Sequence, residues 1–156
     1  MSEPAVITVN AGEHKLARRV IVSASAAELF TLVADPHRHP ELDGSGTVRD
    51  VPVTGPHRLA QGMRFTVGMR FGLVPYRITS TVVDFEDDHV LEWAHPLGHH
   101  WRWEFREIDS TTTEVTQTFD YSSARSPKVL ERLGYPAKNA DAMTKTLRAL
   151  ARRYQN

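Results

Sequence analysis

Alternating apolar and polar residues predict a β-rich chain that starts after a short lead-in. In residues 16–24, Val20, Val22 and Ala24 share one face, which is typical of a half-buried strand. We expect residues 1–15 to be a loose lead-in or an edge strand. After two short helical segments the β pattern returns, and we predict six further strands over residues 47–53, 62–71, 76–85, 90–95, 99–108 and 113–121.

Helix signals follow the first strand. Ser25 with Glu28 three residues later forms a capping-box pattern and predicts a helix over residues 26–34. Pro36 ends that helix. Pro40, which follows His39, leaves room for at most one further helical turn.

The chain ends in a second helical region. Ser126-Pro127 is a helix start signal, and Gly134 and Pro136 interrupt the pattern. From residue 137 onward one apolar stripe runs along a long helix, formed by Ala140, Met143, Leu147, Leu150 and Tyr154.

This order predicts an α+β fold in one domain over residues 1–156, with elements in the order β-α-α-β6-α. A curved seven-stranded antiparallel sheet would wrap around the C-terminal helix, the long element that can cover its apolar face. Because one helix cannot fill the whole curl of such a sheet, we expect an internal cavity between them.

The loop at residues 96–98 sets the register of the central hairpin. A three-residue loop with glycine last suits a β-hairpin, and strand periodicity then determines which side chains share a face. We predict that His95 lies opposite His99, Trp93 opposite Trp101 and Leu91 opposite Trp103.

The last strand continues these rows with Tyr121 beside His99, Phe119 beside Trp101 and Gln117 beside Trp103. Aromatic walls with few polar groups are typical of small-molecule pockets, although inward tryptophans also form ordinary cores. A filled core would leave Gln117 unsatisfied, which favours a partly open cavity. We expect these residues to contact a ligand: Phe65, Met69, Phe71, Trp93, His95, His99, Trp101, Trp103, Gln117, Phe119, Tyr121, Met143 and Leu147.

Proton transfer is chemically available at this face. His95, His99 and Tyr121 are the catalytic candidates, and a histidine poised near neutral pH can act as a general acid or base. Hydrogen bonding at the pocket rim is the alternative role of the histidines. Two facing imidazoles supply only half of a zinc site. Because spacing gives no third ligand, and His37 and His39 lie in a loop, we expect no metal.

The amino-acid composition limits the classes of binding partner that the sequence supports. The chain has 19 basic and 19 acidic residues, so its overall charge gives no argument for nucleic acid or an anionic membrane. It has no cysteine, which excludes disulfides and thiolate chemistry and is compatible with a cytoplasmic location. No apolar run approaches the ~20 residues of a membrane span, so we expect no membrane insertion.

Several segments together resemble the START/SRPBCC superfamily, the helix-grip proteins related to pollen allergens and polyketide cyclases. They are residues 20–30 (VIVSASAAELF), 33–36 (VADP), 39–40 (HP), 62–65 (GMRF), 90–93 (VLEW) and 113–116 (TEVT). The resemblance implies a hollow domain for an apolar ligand such as a lipid, sterol, polyketide or aromatic metabolite. It implies no cofactor and no universal catalytic triad.

Three functions stay open at this level. The first is binding or transport of a hydrophobic small molecule. The second is a cofactor-free polyketide cyclase/dehydratase that uses His95, His99 or Tyr121, with Gln117 orienting a carbonyl. The third is an interaction module of the chaperone-regulator type, which needs a filled core and an exposed apolar patch. Whether the chain forms a homodimer stays open as well.

Overall fold

Eight antiparallel strands form one sheet in the computed structural model, which describes residues 3–42, 53–71 and 73–155. The strand order across the sheet is β1-β2-β8-β7-β6-β5-β4-β3. The strands are β1 (Ile7–Val9), β2 (Lys15–Val22), β3 (Val53–Thr54), β4 (Arg64–Phe71), β5 (Val74–Glu86), β6 (Val90–Ala94), β7 (His100–Asp109) and β8 (Thr112–Asp120).

The additional strand lies in the lead-in segment. β1 pairs with β2, with Ile7 opposite Arg19, so the edge-strand alternative for residues 1–15 is confirmed and the expected count of seven strands is one too low. The predicted strand over residues 47–53 falls almost entirely outside the described residues; within them only β3 remains of it.

The helices begin close to the predicted signals. α1 (Ala26–Val33) begins after Ser25, whose hydroxyl oxygen accepts a hydrogen bond from the backbone N–H of Glu28 at 3.2 Å. A 3₁₀ turn and a one-turn helix then follow, and a left-handed Gly134 (φ 72°) separates the two C-terminal helices. These elements are the 3₁₀ turn Pro36–Arg38, α2 (His39–Leu42), α3 (Pro127–Arg132) and α4 (Tyr135–Arg153).

Strand alternation gives the sheet one charged face and one apolar face. Arg102 in β7 donates hydrogen bonds to Asp84 at 2.7 Å and to Glu92 at 2.9 Å on the outer face. Because successive side chains of a strand point in opposite directions, its neighbours Trp101 and Trp103 point inward.

The long helix α4 covers only part of the inner face, packing chiefly on β2 and β8. Leu147 and Leu150 of α4 are buried there in a cluster that includes Phe30 of α1. A smaller cluster at the other end contains Met143 and Phe119. The inner face of β4 to β7 is therefore left partly uncovered, and a cavity results.

The tip of the β6–β7 hairpin is locked by backbone contact. The N–H of His95 donates to the carbonyl of His99 at 2.8 Å, and Gly98 has φ 97°, as the predicted loop requires. A Cβ at Gly98 would lie 2.5 Å from the carbonyl oxygen of Ser123. Only glycine fits both the conformation and the space at this position.

Gly98→Ala is expected to lower the free energy of unfolding by about 2–4 kcal/mol, because a strained backbone conformation adds to a clash with main chain. Gly134→Ala is the matched control. Gly134 also has positive φ, but nothing lies within 4 Å of its added Cβ, so its cost is about 1 kcal/mol. Urea denaturation followed by tryptophan fluorescence measures both, and equal losses would contradict the clash.

Candidate functional site

A cavity of about 320 Å³ lies between the inner face of the sheet and α4. This volume is at the lower end of the range for ligand pockets, ~300–1,000 Å³. Its walls are His39, Leu42, Val53, Phe65, Val67, Ile78, Ser80, Trp93, His95, His99, Trp101, Trp103, Gln117, Tyr135, Asn139, Ala142, Met143 and Thr146.

Most of the predicted ligand contacts line this cavity, and four of the predicted cross-strand pairs are confirmed. Leu91 pairs with Trp103, and Trp93 with Trp101. On the other side of β7, Trp101 pairs with Phe119 and Trp103 with Gln117. The predicted residues found in the wall are Phe65, Trp93, His95, His99, Trp101, Trp103, Gln117 and Met143.

Three predicted residues are buried outside the wall. Phe119 packs behind Trp101, with ring centroids 4.8 Å apart, and Leu147 is part of the core. Tyr121 follows the end of β8; its ring stacks on Phe119 with centroids 5.5 Å apart, and its hydroxyl donates to Glu131 at 3.4 Å. Tyr121 is therefore packed in the smaller core cluster and is not part of the cavity wall. The side chains of Met69 and Phe71 lie outside the described part of the structure.

One wall is built by a histidine that the sequence interpretation did not assign. His39, at the start of α2, stacks on Trp93 with ring centroids 5.3 Å apart, and Phe65 meets Trp93 edge-on at 5.3 Å. The Nε2–H of His39 donates to the carbonyl of Val33 at 2.8 Å. Burial lowers the pKa of His39, so the ring is a neutral part of an aromatic wall.

The helix contributes polar residues that the apolar-stripe criterion overlooked. Tyr135, Asn139 and Thr146 line the cavity beside Met143. Asn139 lies four residues before Met143 and thus on the same helix face. This four-residue spacing is the sequence signal that could have predicted Asn139 in the cavity wall. A stripe defined by apolar residues alone does not include it.

Unpartnered polar atoms belong to residues of the cavity wall. Within the described residues, four buried side-chain polar atoms lack a hydrogen-bond partner, and three of them belong to wall residues: His99 Nδ1, Gln117 Oε1 and Asn139 Nδ2. The Asn139 amide lies near the Tyr135 hydroxyl without a well-formed hydrogen bond. An unsatisfied buried polar group costs ~1–3 kcal/mol, so these atoms call for partners inside the cavity.

The two hairpin histidines are neutral at neutral pH. Their rings stack with centroids 4.0 Å apart, and Nδ1 of His95 accepts the N–H of Leu97 at 3.0 Å. Burial, reinforced by repulsion between the proton of His99 and any proton on the nearby His95 or His100 ring, lowers the pKa of His99 to about 4. Burial also lowers the pKa of His95. The expectation that His99 is poised near neutral pH is therefore wrong, because it is only 1% exposed.

A wider depression of about 460 Å³ lies elsewhere, lined by Ala27, Glu28, Thr31, Arg38, Arg153 and Tyr154. Arg38 and Arg153 both donate to Glu41, at 3.1 and 3.2 Å. Their charges are already paired, and the three unpartnered atoms described above lie in the walls of the other cavity. The smaller cavity is therefore the candidate site.

The comparison with known families agrees with this architecture. The family model described as polyketide cyclase / dehydrase and lipid transport matches residues 13–155. The chain belongs to this family. The START/SRPBCC resemblance is thereby confirmed, and the helix-grip fold is shared with solved structures.

Relatives of this chain include an uncharacterized protein of Mycobacterium tuberculosis, Rv0088. It is 46% identical over 153 residues, which cover 96% of this chain and 68% of that protein. A crystal structure of a Rhodobacter sphaeroides protein is 16% identical with a TM-score of 0.71, covering 96% of this chain and 97% of that one. The di-domain ARO/CYC BexL from the BE-7585A biosynthetic pathway is 18% identical with a TM-score of 0.64, covering 88% and 45%.

Among the described residues, no helix combines the length and apolar character needed to cross a membrane.

Lowering the pH should decrease the free energy of unfolding because His99 is buried in its neutral form. With a pKa of 6.5 when unfolded and about 4 when folded, this residue binds a proton more readily in the unfolded chain. Its stabilising contribution is complete above pH 6.5 and is lost as the pH falls toward 4, by about 3 kcal/mol. Denaturation of wild type and His99→Asn at pH 7.5 and 4.5 should show a smaller acid loss in the variant.

His89 provides the control for this measurement, because it is an exposed histidine in the β5–β6 turn. His89→Asn should retain the acid sensitivity of the wild type. An unchanged acid loss in His99→Asn would show that His99 titrates normally in the folded protein.

Proposed function

We propose that the cavity binds a compact, largely aromatic small molecule that carries both a hydrogen-bond donor and an acceptor. The observation that carries the proposal is the pair of buried, unpartnered atoms His99 Nδ1 and Gln117 Oε1 in an aromatic wall. Both side chains are nearly inaccessible, at 1% and 7% exposure. Partners for these atoms therefore have to enter the cavity.

The energetics favour a polar ligand over a purely apolar one. Two or three unsatisfied groups at ~1–3 kcal/mol each are a large part of a net stability of ~5–15 kcal/mol. Water can partner these groups in the free protein. A ligand without hydrogen-bonding groups would displace that water and leave them unpaired.

The chemistry of the three atoms defines the ligand's polar groups. Gln117 Oε1 accepts, so it needs a hydroxyl or N–H, whereas Asn139 Nδ2 donates and needs a carbonyl or ether oxygen. Neutral His99 takes either role, according to its tautomer. A phenol or enol that also bears a carbonyl satisfies all three atoms.

The size of the cavity and the family both support this class. About 320 Å³ accommodates a small ring system better than a long acyl chain. The family description includes polyketide cyclase/dehydrase as well as lipid transport, and BexL carries the description ARO/CYC. Among the classes the family covers, the proposal favours aromatic polyketides and similar hydroxylated ring ketones.

Cofactor-free cyclase/dehydratase activity is the second candidate function. Tyr135 lies beside His99 with ring centroids 5.9 Å apart, and burial raises its pKa, so its hydroxyl stays protonated and can donate to a carbonyl. The adjacent neutral imidazole can accept a proton. Tyr135, rather than Tyr121, is the cavity tyrosine in this candidate mechanism.

The interaction-module alternative receives no comparable support. It requires a filled interior, whereas a cavity lies beneath the helix.

Binding should quench tryptophan fluorescence, because all three tryptophans of the chain line the cavity. We expect 6-acetyl-2-naphthol, whose hydroxyl is too far from its carbonyl for an internal hydrogen bond, to bind about tenfold more tightly than 2-acetylnaphthalene, which lacks the hydroxyl, since one hydrogen bond contributes ~1 kcal/mol or more. Gln117→Leu should abolish this preference. Gln61→Leu, at an exposed site, is the matched control and should keep it.

A flat fluorescence response to both naphthyl ketones and to palmitate would contradict ligand binding in the cavity. Equal affinity for the two ketones in the wild type would contradict the hydrogen-bonding role alone. Native mass spectrometry of freshly purified protein would then give the mass of any co-purified molecule.

Turnover distinguishes the two candidate functions. If the protein is a cyclase/dehydratase, His99→Asn and Tyr135→Phe should each lower the conversion of a linear polyketide analogue by at least tenfold while the naphthol still binds. Product formation is measured by liquid chromatography. If the wild type binds the naphthol but converts no substrate, the cyclase/dehydratase candidate is excluded and binding remains as the proposed function.

A further inference from the structure

A second group of ligand-type side chains lies outside the cavity walls. Asp35, His37 and His57 place one potential metal-ligating atom each within 4.8 Å of one another. None of the three lines the cavity. Asp35 caps the 3₁₀ turn and His37 lies within it, whereas His57 comes from the segment after β3, so two distant stretches of sequence meet here.

Asp35 is held with one oxygen available. Its Oδ1 accepts the backbone N–H of His37 at 3.0 Å, which caps the 3₁₀ turn. Its Oδ2 points to His57, with Nδ1 of that ring 3.3 Å away. The carboxylate is 15% exposed, so its orientation is restricted by the surrounding chain.

His37 is oriented in the way typical of metal-ligating histidines. Its Nε2 lies 2.8 Å from the carbonyl oxygen of Gly55. A carbonyl only accepts, so Nε2 carries the proton and Nδ1 keeps a free lone pair. Metal-bound histidines commonly donate their other ring N–H to a backbone carbonyl in this manner.

The acceptor of that hydrogen bond is itself immobilised. Gly55 has φ 146°, and a Cβ there would lie 2.9 Å from the Cβ of Phe65. The chain at Gly55 therefore lies directly against β4, and the carbonyl that orients His37 has little freedom to move.

The segment carrying His57 is anchored to the end of α1. The N–H of Leu59 donates to the carbonyl of Ala34 at 2.8 Å, and the Leu59 side chain is fully buried. The His37 and His57 rings stack with centroids 4.2 Å apart. His57 itself is 80% exposed, so its ring can adjust to an ion.

We propose that Asp35, His37 and His57 form a binding site for a divalent transition-metal ion of the zinc type. Two imidazoles and a carboxylate suit such ions, with bond lengths of ~2.0–2.2 Å. An imidazole binds a metal ion in the plane of its ring, so the His57 ring has to turn out of its stacked contact with His37 to share one ion, which its exposure permits. The remaining coordination positions are open to water.

This proposal departs from the expectation that the chain binds no metal. Sequence spacing offered His37 only with His39, but His39 stacks on Trp93 in the cavity wall, whereas His37 bonds the carbonyl of Gly55 outside it. The third ligand, His57, lies twenty residues away, where no spacing rule connects it to the turn.

The test uses the full chain after treatment with EDTA and desalting. Isothermal titration with Zn²⁺ should give one ion per chain, and Co²⁺ should produce visible d–d absorption typical of nitrogen and oxygen ligands. Asp35→Asn, which can keep the hydrogen bond to the His37 N–H, and His57→Ala should each weaken Zn²⁺ binding by at least tenfold.

His89→Ala is the matched control, since His89 is an exposed histidine beside Glu86, 3.9 Å from its carboxylate, on another turn. It should bind Zn²⁺ like the wild type, and thermal melts in EDTA confirm that each variant folds. Absence of binding by the wild type, or equal binding by Asp35→Asn and His57→Ala, would overturn the proposal. Binding lost in His99→Asn but kept in His57→Ala would also overturn it, by placing the ion in the cavity.

Discussion

Incomplete coverage of the sheet by one helix is the constraint on which the rest of the structure depends. α4 packs on β2 and β8, two strands that are adjacent in the sheet although they come from opposite ends of the chain. A rigid cylinder cannot follow a twisted, curved sheet across all its strands. The aromatic inner face of β6 and β7 is therefore left beside a cavity that the side chains of the described residues do not fill.

Strand periodicity was enough to predict most of the side chains on this inner face. A three-residue loop ending in Gly98 was enough to place Trp93 against Trp101, because register and alternation follow from loop geometry. The same rule predicted Tyr121 as a further residue of the wall, but Tyr121 packs with Phe119 in the smaller core cluster, outside the cavity lining. Asn139 and His39 escaped prediction for another reason: their positions depend on how α4 and the 3₁₀ turn pack against the sheet.

The polar groups of the cavity have a common physical origin. Apolar surroundings keep His99 and His95 uncharged and at the same time make every unpaired donor or acceptor costly. A site of this kind discriminates by hydrogen bonding rather than by charge. Rejection of an analogue that lacks one polar group is then stronger than rejection of one that lacks a methyl group.

The contact of Gly98 with Ser123 is between main-chain atoms, which every amino acid possesses. Divergent sequences can thus exchange the side chains around the hairpin tip and keep this close approach, provided that position 98 remains glycine. Family members that share the glycine are expected to share the position of the hairpin tip against residue 123, whereas the side chains that line the cavity are free to differ.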